Sequence, residues 1–480
     1  MLSASNPFTF LLFGASGNLA QLKIYPALYV LALKKRLPKD YAIVGYARTA
    51  MDDAAFRKLV EESVRKDMGT VTEEALREFL THVHYAQGQY DDANDLRALA
   101  ATLKTVEKGW RKSVRLAYLS VPPQVMAPLL ETLCAAGIHT GNHTFRCIVE
   151  KPVGHDLASF EVIYEKLTKC LPSEEIYPLD HYLGKEAVRN VYYLRYANPL
   201  LERLFKNTLI HHVEITAAET LGIEGRAGYF EHTGAFRDMF QSHLLLIASL
   251  LTMQVKDGDS FLPESRRAAL EQFYLPPAGS LDDVVMQGQY APGTVDGKTA
   301  KGYREEEGVD PESRTNTYAA LKLGCREAHW QGVPFYLRSG KRMGRKETRI
   351  SLVFLEPRAV GKGGTPNRLD MILQGEAGMR IFLQTKLGGS EPAFRPLILT
   401  DPLVCVGDCL PEHGLLILEA IAGHKTWFLA PDEIRSAWRL TDPIQSHFDR
   451  ADTPLHFYPA GTDGPVEATK WMEREGLSWL

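Results

Sequence analysis

Near the start of the chain, FTFLLFGASGNLAQLKIYPALYVLALKKR runs from an unbroken apolar stretch through a glycine turn into helical periodicity carried by Leu19, Leu22, Ala27, Leu28 and Leu31. The apolar stretch reads as a strand buried on both faces, and the turn and helix after it make it the opening of a βα unit. Such a unit cannot cover both its faces alone, so it commits the following chain to a layered α/β arrangement. Gly14 and Gly17 permit a tight turn and close approach of a phosphate to backbone N–H groups, and the helix N-terminus adds a favourable dipole. Ala20 is small enough for the position where helix and strand pack closely, although the spacing is GxxGxxA instead of GxGxxG.

YAIVGYARTA supplies a second strand, and its end carries Arg48 and Thr49 where a site built for NAD alone would usually place an acid on the ribose. A cation there suits a 2′-phosphate, so NADP is the expected cofactor; acceptance of NAD as well stays open. VRLAYLSVPP and FRCIVEKPVG follow as strands, separated by the helical QVMAPLLETLCAAG. The alternation implies a Rossmann-like, doubly wound parallel sheet, whose ligands bind beyond the carboxyl ends of the strands, where Tyr118, Pro122, Lys151 and Pro152 fall. The cofactor candidates are thus the turn residues Gly14, Ala15, Ser16, Gly17, Asn18 and Leu19, with Arg48, Tyr118 and Lys151.

At 480 residues the chain exceeds what one hydrophobic core usually serves. We expect a junction near residue 178, giving domains 1–178 and 179–480. Beyond it come alternating stretches, IHHVEITAAE, TYAALKLGC, VPFYLRSG, TRISLVFLE, RLDMILQ and MRIFLQTKL, with few helices between. They predict a larger α+β domain on a mostly antiparallel sheet. APGTVDGKTAKGYREEEGVDPESRTN reads as a long loop excursion.

Lys+Arg 55 against Asp+Glu 59 leaves a net charge of −4, which argues against nucleic acid or an anionic membrane as partner. No uninterrupted apolar run reaches the ~18 residues of a membrane span, and FTFLLF is too short for a secretory signal. The six cysteines show no disulfide framework, which fits a reducing cytoplasm. Cys134, His139, His143 and Cys147 lack the close CxxC-type pair of a structural zinc site and read as a helix end, a turn and a strand; no metal is expected.

Polar chemistry gathers in three places. In DHYLGKEAVRN, a helix opened by Asp180 would carry His181, Lys185 and Arg189 along one face with Tyr182 beside them, an anion clamp suited to a phosphate monoester. FYLRSGKRMGRKETRISLVF concentrates Arg338, Lys341, Arg342, Arg345, Lys346 and Arg349 against the single Glu347, a cluster that calls for an anion. ITAAETLGIEGRAGYFEHTGAFRDMFQSHLLL places Glu219 after a strand and Asp238 and His243 on a helix, about 140° apart around its axis. A neutral imidazole oriented by a carboxylate is the usual base for an alcohol that loses hydride from the same carbon. Within the helix no acid is well placed to orient His243, which makes Asp180 the candidate.

GASGNLA, IVGYAR, EKPVGHDL, DHYLGKE, EGRAGYF, RDMFQSHLL, RSGKR, AWR and YPAGTDGP, in this order, resemble the glucose-6-phosphate dehydrogenase family over nearly the whole chain. The resemblance implies oxidation of β-D-glucose 6-phosphate at C1 to the 6-phosphogluconolactone with NADP, as the opening of the oxidative pentose phosphate pathway, by a cytoplasmic homodimer or homotetramer. It implies His243 as base and Asp180 as its orienting acid, with His181, Tyr182 and Lys185 on the phosphate. Lys151 then lies between substrate and nicotinamide, and Glu219 and Asp238 hold sugar hydroxyls. Lys341 and a second cation, Lys346 or its neighbour Arg345, complete the set. Three positions depart from the family pattern: Asn18 replaces Asp, Pro178-Leu179 replace Arg-Ile, and Val153 replaces an aromatic. Two rival readings remain. A sugar dehydrogenase whose EKP lysine itself assists proton transfer needs no phosphate clamp, and a silent nucleotide sensor should lack the base.

Overall fold

The computed structural model describes residues 6–151, 153–255, 263–357, 365–390, 393–403, 405 and 407–480, so Pro152 lies outside the described residues. The chain divides into two compact units: Met1–Lys185 with Gly407–Pro431, and Glu186–Val406 with Asp432–Leu480.

In the first unit six strands, β1 (Phe8–Phe13), β2 (Tyr41–Ala47), β3 (Val83–Gln87), β4 (Ser113–Leu119), β5 (His143–Glu150) and β6 (Ile176–Leu179), form a sheet in the order β3-β2-β1-β4-β5-β6. Every pairing is parallel. All residues of β1, β2 and β4 are buried, as the apolar runs require when helices cover both faces. Acids cap the connecting helices: Asp52 accepts from Ala55 N, and Asp156 forms a capping box with Ser159 before the helix Leu157–Cys170. Register decides what lies at the carboxyl edge. Phe13 stands level with Tyr46 and Leu119, Leu119 with Val149, and Glu150 with Leu179. The residues that follow these strands, Gly14, Arg48, Ser120, Lys151 and Asp180, therefore share one edge of the sheet.

In the second unit β7 (Ile210–Ala218), β8 (Phe273–Tyr274), β9 (Val285–Ala291), β12 (Tyr318–Cys325), β13 (Phe335–Gly340), β14 (Glu347–Phe354), β15 (Arg368–Gln374), β16 (Gly378–Lys386), β17 (Phe394–Pro402) and β18 (His456–Pro459) build one large sheet. Its order is β17-β16-β15-β14-β7-β13-β12-β9-β18, with β8 beside β12. Among the described residues, only β7 with β13 and β9 with β18 pair in parallel in this sheet.

Three expectations are corrected: the loop excursion, the helix opened by Asp180 and the absence of a disulfide. The excursion after residue 291 carries a two-stranded ribbon, β10 (Gly293–Val295) and β11 (Lys298–Ala300), and a short helix whose Tyr303 is fully buried. Asp180 does not open one long helix. It caps the 3₁₀ turn His181–Gly184, Lys185 is extended (φ −78, ψ 124), and a separate helix starts at Glu186, so His181, Lys185 and Arg189 share no helical stripe. Asn18 is exposed and makes no capping hydrogen bond among the described residues. Cys134 and Cys170 are joined as a disulfide, with Cα atoms 5.9 Å apart, because their helices, Pro123–Ala135 and Leu157–Cys170, pack side by side. Cys147 and Cys325 are free and buried. Among the described residues no helix is long and apolar enough to cross a membrane.

Candidate active site

In the first unit the glycine turn has the form a dinucleotide needs. Gly14 takes φ +83, and a side chain there would collide with the carbonyl oxygen of Ser120. Gly14 N donates to Tyr46 O (3.0 Å), Gly17 N to Gly14 O (2.9 Å), and the Tyr25 hydroxyl to Ala15 O (2.5 Å). The turn leads into a π-helical segment, Ala20–Ile24, with Ala20 wholly buried. Ser16 Oγ lies 2.9 Å from Thr49 Oγ1, and the exposed Arg48 guanidinium stands 5.8 Å from the centre of the Tyr90 ring. Hydroxyls and an exposed cation beside a left-handed glycine turn fit the 2′-phosphate and pyrophosphate of NADP.

Tyr118 is fully buried, and its hydroxyl donates to Glu150 Oε2 at 2.6 Å. Burial pushes the Glu150 carboxyl up to about 8; Asp180 and Glu412 add to this, against the Tyr118 hydrogen bond and Lys151. The folded chain thus keeps a proton that the unfolded chain releases near 4.5. Relative to Glu150→Gln, the wild type should lose stability as pH rises from about 4.5 to about 8 and level off above. Urea unfolding of both proteins between pH 5 and 9 checks this; parallel curves would mean that Glu150 is ionised throughout.

The DHYLGK segment keeps its polar groups together without a common helix. Asp180 is wholly buried and accepts from Tyr182 N at 2.9 Å, which fixes the turn. Lys185 Nζ sits 3.7 Å from the centre of the Tyr182 ring, and the His181 ring meets that of Tyr182 edge-on at 5.1 Å. Pro178, in place of the family's arginine, accepts from Leu429 N at 3.0 Å.

Sequence reading missed two neighbours of this cluster, Glu412 and His413, which open the helix Glu412–Ala422. His181 Nδ1 lies 3.6 Å from Glu412 Oε1, and the His181 and His413 rings stack at 6.0 Å. Burial acts to raise the Glu412 carboxyl, but His181, His413 and Lys185 outweigh it and hold it at about 2. Burial, then the charge of His181, pushes His413 down to about 3, so its ring is neutral. The amphipathic run PEHGLLILEAIAG predicts a helix, but no local signal tells which unit it joins.

In the second unit, β7 and β13 run parallel with Ala218 level with Gly340. The next residues, Glu219 and Lys341, are therefore neighbours: Lys341 Nζ is 2.5 Å from Glu219 Oε2, and Glu219 N donates to Gly340 O. Lys341 is 4 % exposed and also lies 5.3 Å from the Phe230 ring centre. The other cations of this loop are largely matched from within. Arg338 is buried and donates to Thr216 Oγ1 and Leu480 O; Arg342 lies 3.5 Å from both Glu224 and Glu306. Arg345 and Arg349 share Glu347 at 3.4 and 3.6 Å, and Arg345 also donates to Leu480 O. The expectation that the whole cluster awaits an external anion is corrected: distant acids and carbonyls neutralise most of it. Lys346 is exposed and forms no ion pair with a described residue.

His243 is 3 % exposed and sits in a π-helical turn, Phe240–Leu244, between the helices Ala227–Met239 and Leu245–Thr252. The wider turn brings positions five apart closer to a shared face than an α-helix does, so the expected α-helical offset of Asp238 and His243 does not hold. Asp238 is half-buried and hydrogen-bonds the Tyr229 phenol, whose pKa is raised by burial and then by that carboxylate.

Two family models match the chain end to end: "Glucose-6-phosphate dehydrogenase, NAD binding domain" over residues 11–190 and "Glucose-6-phosphate dehydrogenase, C-terminal domain" over 192–480. A glucose-6-phosphate 1-dehydrogenase of Mycolicibacterium smegmatis is 34% identical over 491 residues, covering 99% of this chain and 98% of the relative. One of Streptococcus pneumoniae is 34% identical over 479 residues, covering 98% and 95%. A solved glucose-6-phosphate dehydrogenase in complex with its substrate glucose-6-phosphate superposes with a TM-score of 0.89 at 28% identity over 100% of both chains. The structure of the Mycobacterium avium protein gives 0.83 at 26% over 99% of both. With a parallel sheet carrying a left-handed glycine turn, a larger mixed sheet, and full-length matches to both domains, the chain belongs to the glucose-6-phosphate dehydrogenase family.

Proposed function

We propose that the protein oxidises β-D-glucose 6-phosphate at C1 to 6-phospho-D-glucono-1,5-lactone, using NADP. The single observation that carries this reading is the full-length match to both domains of the family. His243 is the base that takes the proton of the C1 hydroxyl, and Asp180 is the acid that orients it. Both groups are buried, at 3 % and 0 % exposed, so water competes little for the proton. Asp238 and Glu219 bind sugar hydroxyls. His181, Tyr182 and Lys185 bind the phosphate, with Lys341 and Lys346 as further cations. For Lys346 over Arg345 speaks that it meets no acid among the described residues, whereas Arg345 already has Glu347 and Leu480 O.

Bound NADP supplies the hydride acceptor. Gly14, Ala15, Ser16, Gly17, Asn18 and Leu19 hold its phosphates, Arg48 its 2′-phosphate, and Lys151 stands between cofactor and substrate. Tyr118 bears on that site through Glu150. The EKP-type rival and the silent sensor separate from this reading in one assay: initial rates with glucose 6-phosphate using NADP and NAD in parallel, with glucose as competitor. Strong preference for the phosphorylated sugar is expected; equal use of glucose would overturn the reading.

Lys185→Ala should raise KM for glucose 6-phosphate roughly tenfold or more, the scale of one charge-assisted bond, with little change in kcat. An unchanged KM would remove Lys185 from the phosphate group. We further propose self-association, as a dimer or tetramer, through the open face of the larger sheet. On that sheet, strand β17 leaves Ile398 and Leu399 50% and 49% exposed, large apolar side chains of the kind that mark contact surfaces.

A further inference from the structure

Glu412 reaches the phosphate-binding residues from a helix more than two hundred positions further along the chain, and the backbone fixes where it sits. Gly184, which ends the turn begun by His181, packs so tightly that a Cβ there would lie 2.5 Å from Glu412 O. The same first turn of that helix is pinned again two residues on, where a Cβ on Gly414 would touch the Leu31 side chain. This double contact sets the Glu412 carboxylate 3.6 Å from Nδ1 of His181, with its side chain 24% exposed. The groups that act on Glu412 are His181, His413 and Lys185. Lys23 adds its charge at His413, and Glu150, whose proton is retained to about 8, lies on the strand side. His413 is neutral at working pH, so its ring cannot balance the carboxylate. The other two groups that face the carboxylate, the His181 ring and Lys185, are both assigned by the proposed function to the substrate's phosphate.

We propose that Glu412 is a positioning residue for phosphate recognition: it holds the Nδ1 edge of His181 and so turns the Nε2 edge toward the phosphate. The inference rests on the reading of His181 as a phosphate ligand. An imidazole anchored by a carboxylate at Nδ1 donates from Nε2 to a phosphate only when both nitrogens carry protons, and an anion on each side favours that form. The carboxylate's own repulsion of the phosphate is offset by Lys185, which shares its field.

Glu412→Gln keeps the side chain's size and removes its charge. The expected result is a rise in KM for glucose 6-phosphate of roughly tenfold, the scale of one charged contact, with kcat and the KM for NADP changed less than about twofold. Glu412→Asp, which keeps the charge, should stay within about threefold of the wild-type KM. In a His181→Asn background, Glu412→Gln should add less than about twofold, because the ring it positions is gone. A KM that is unchanged or lowered in Glu412→Gln, or an equal effect in both backgrounds, overturns the inference. So does a joint fall of kcat and both affinities, the pattern of a merely structural residue. If His181→Asn itself leaves KM for glucose 6-phosphate unchanged, the phosphate reading fails first, and that result is distinct from failure of Glu412 alone.

Discussion

His243→Asn lowers kcat by roughly 10²–10⁴, the usual scale for loss of a general base, while KM for glucose 6-phosphate stays within about threefold. Asparagine preserves a polar, hydrogen-bonding side chain in the buried π turn Phe240–Leu244, so the effect is one of proton transfer and not of folding. A companion substitution sharpens the result. Asp180→Asn retains an oxygen to accept from Tyr182 N, so the 3₁₀ turn survives while the negative charge is removed. It should lower kcat with an unchanged thermal midpoint. Steady-state rates with saturating NADP check both variants, and near-normal turnover in His243→Asn would remove this residue as the base.

Gly14→Ala should be the most damaging small substitution in the first unit. Its φ of +83 is a conformation that a residue with a Cβ reaches only at a cost, and the added carbon would meet the Ser120 carbonyl, a backbone atom that cannot swing aside. Left-handed strain and overpacking together amount to about 2–5 kcal/mol. Relief requires the strand-end turn to open, so affinity for NADP should fall with stability. Gly17→Ala is the control: a Cβ there comes no closer than 3.1 Å to Gly14 O. Urea midpoints of the two variants should differ widely, and NADP titration of Gly14→Ala against the wild type reads the opening of the turn. Equal, small shifts would mean that the turn adjusts freely and that Gly14 has no special role.

Much of the active-site chemistry was legible because it is written locally. The glycine turn, the strand before it and the cation after the second strand are neighbours in sequence, and parallel register then lines Gly14, Arg48, Lys151 and Asp180 along one edge. The helix carrying His243 was legible as a helix but not in its detail. A π turn is made by one extra residue in the hydrogen-bond ladder, and side-chain periodicity over so short a stretch does not reveal it. The DHYLGK stripe failed for a related reason: Gly184, a poor helix former that packs against the backbone of Glu412, ends the 3₁₀ turn before Lys185, and the polar spacing alone outweighed that signal.

The basic loop marks the limit more sharply. Counted along the chain, Arg338 to Arg349 face one acid, Glu347; in space Glu219, Glu224 and Glu306 join it. The pairing of Cys134 with Cys170 and the arrival of Glu412 beside His181 are of the same kind. By itself, the order of residues determined the strands, the turn, the kinds of chemical group available and the family, because these depend on neighbours and on spacing. Only the tertiary structure decided which charges are neutralised, which thiols meet and which acid holds the histidine at 181. Those outcomes arise from contacts between segments far apart in the chain, where nothing in either segment's own pattern names its partner.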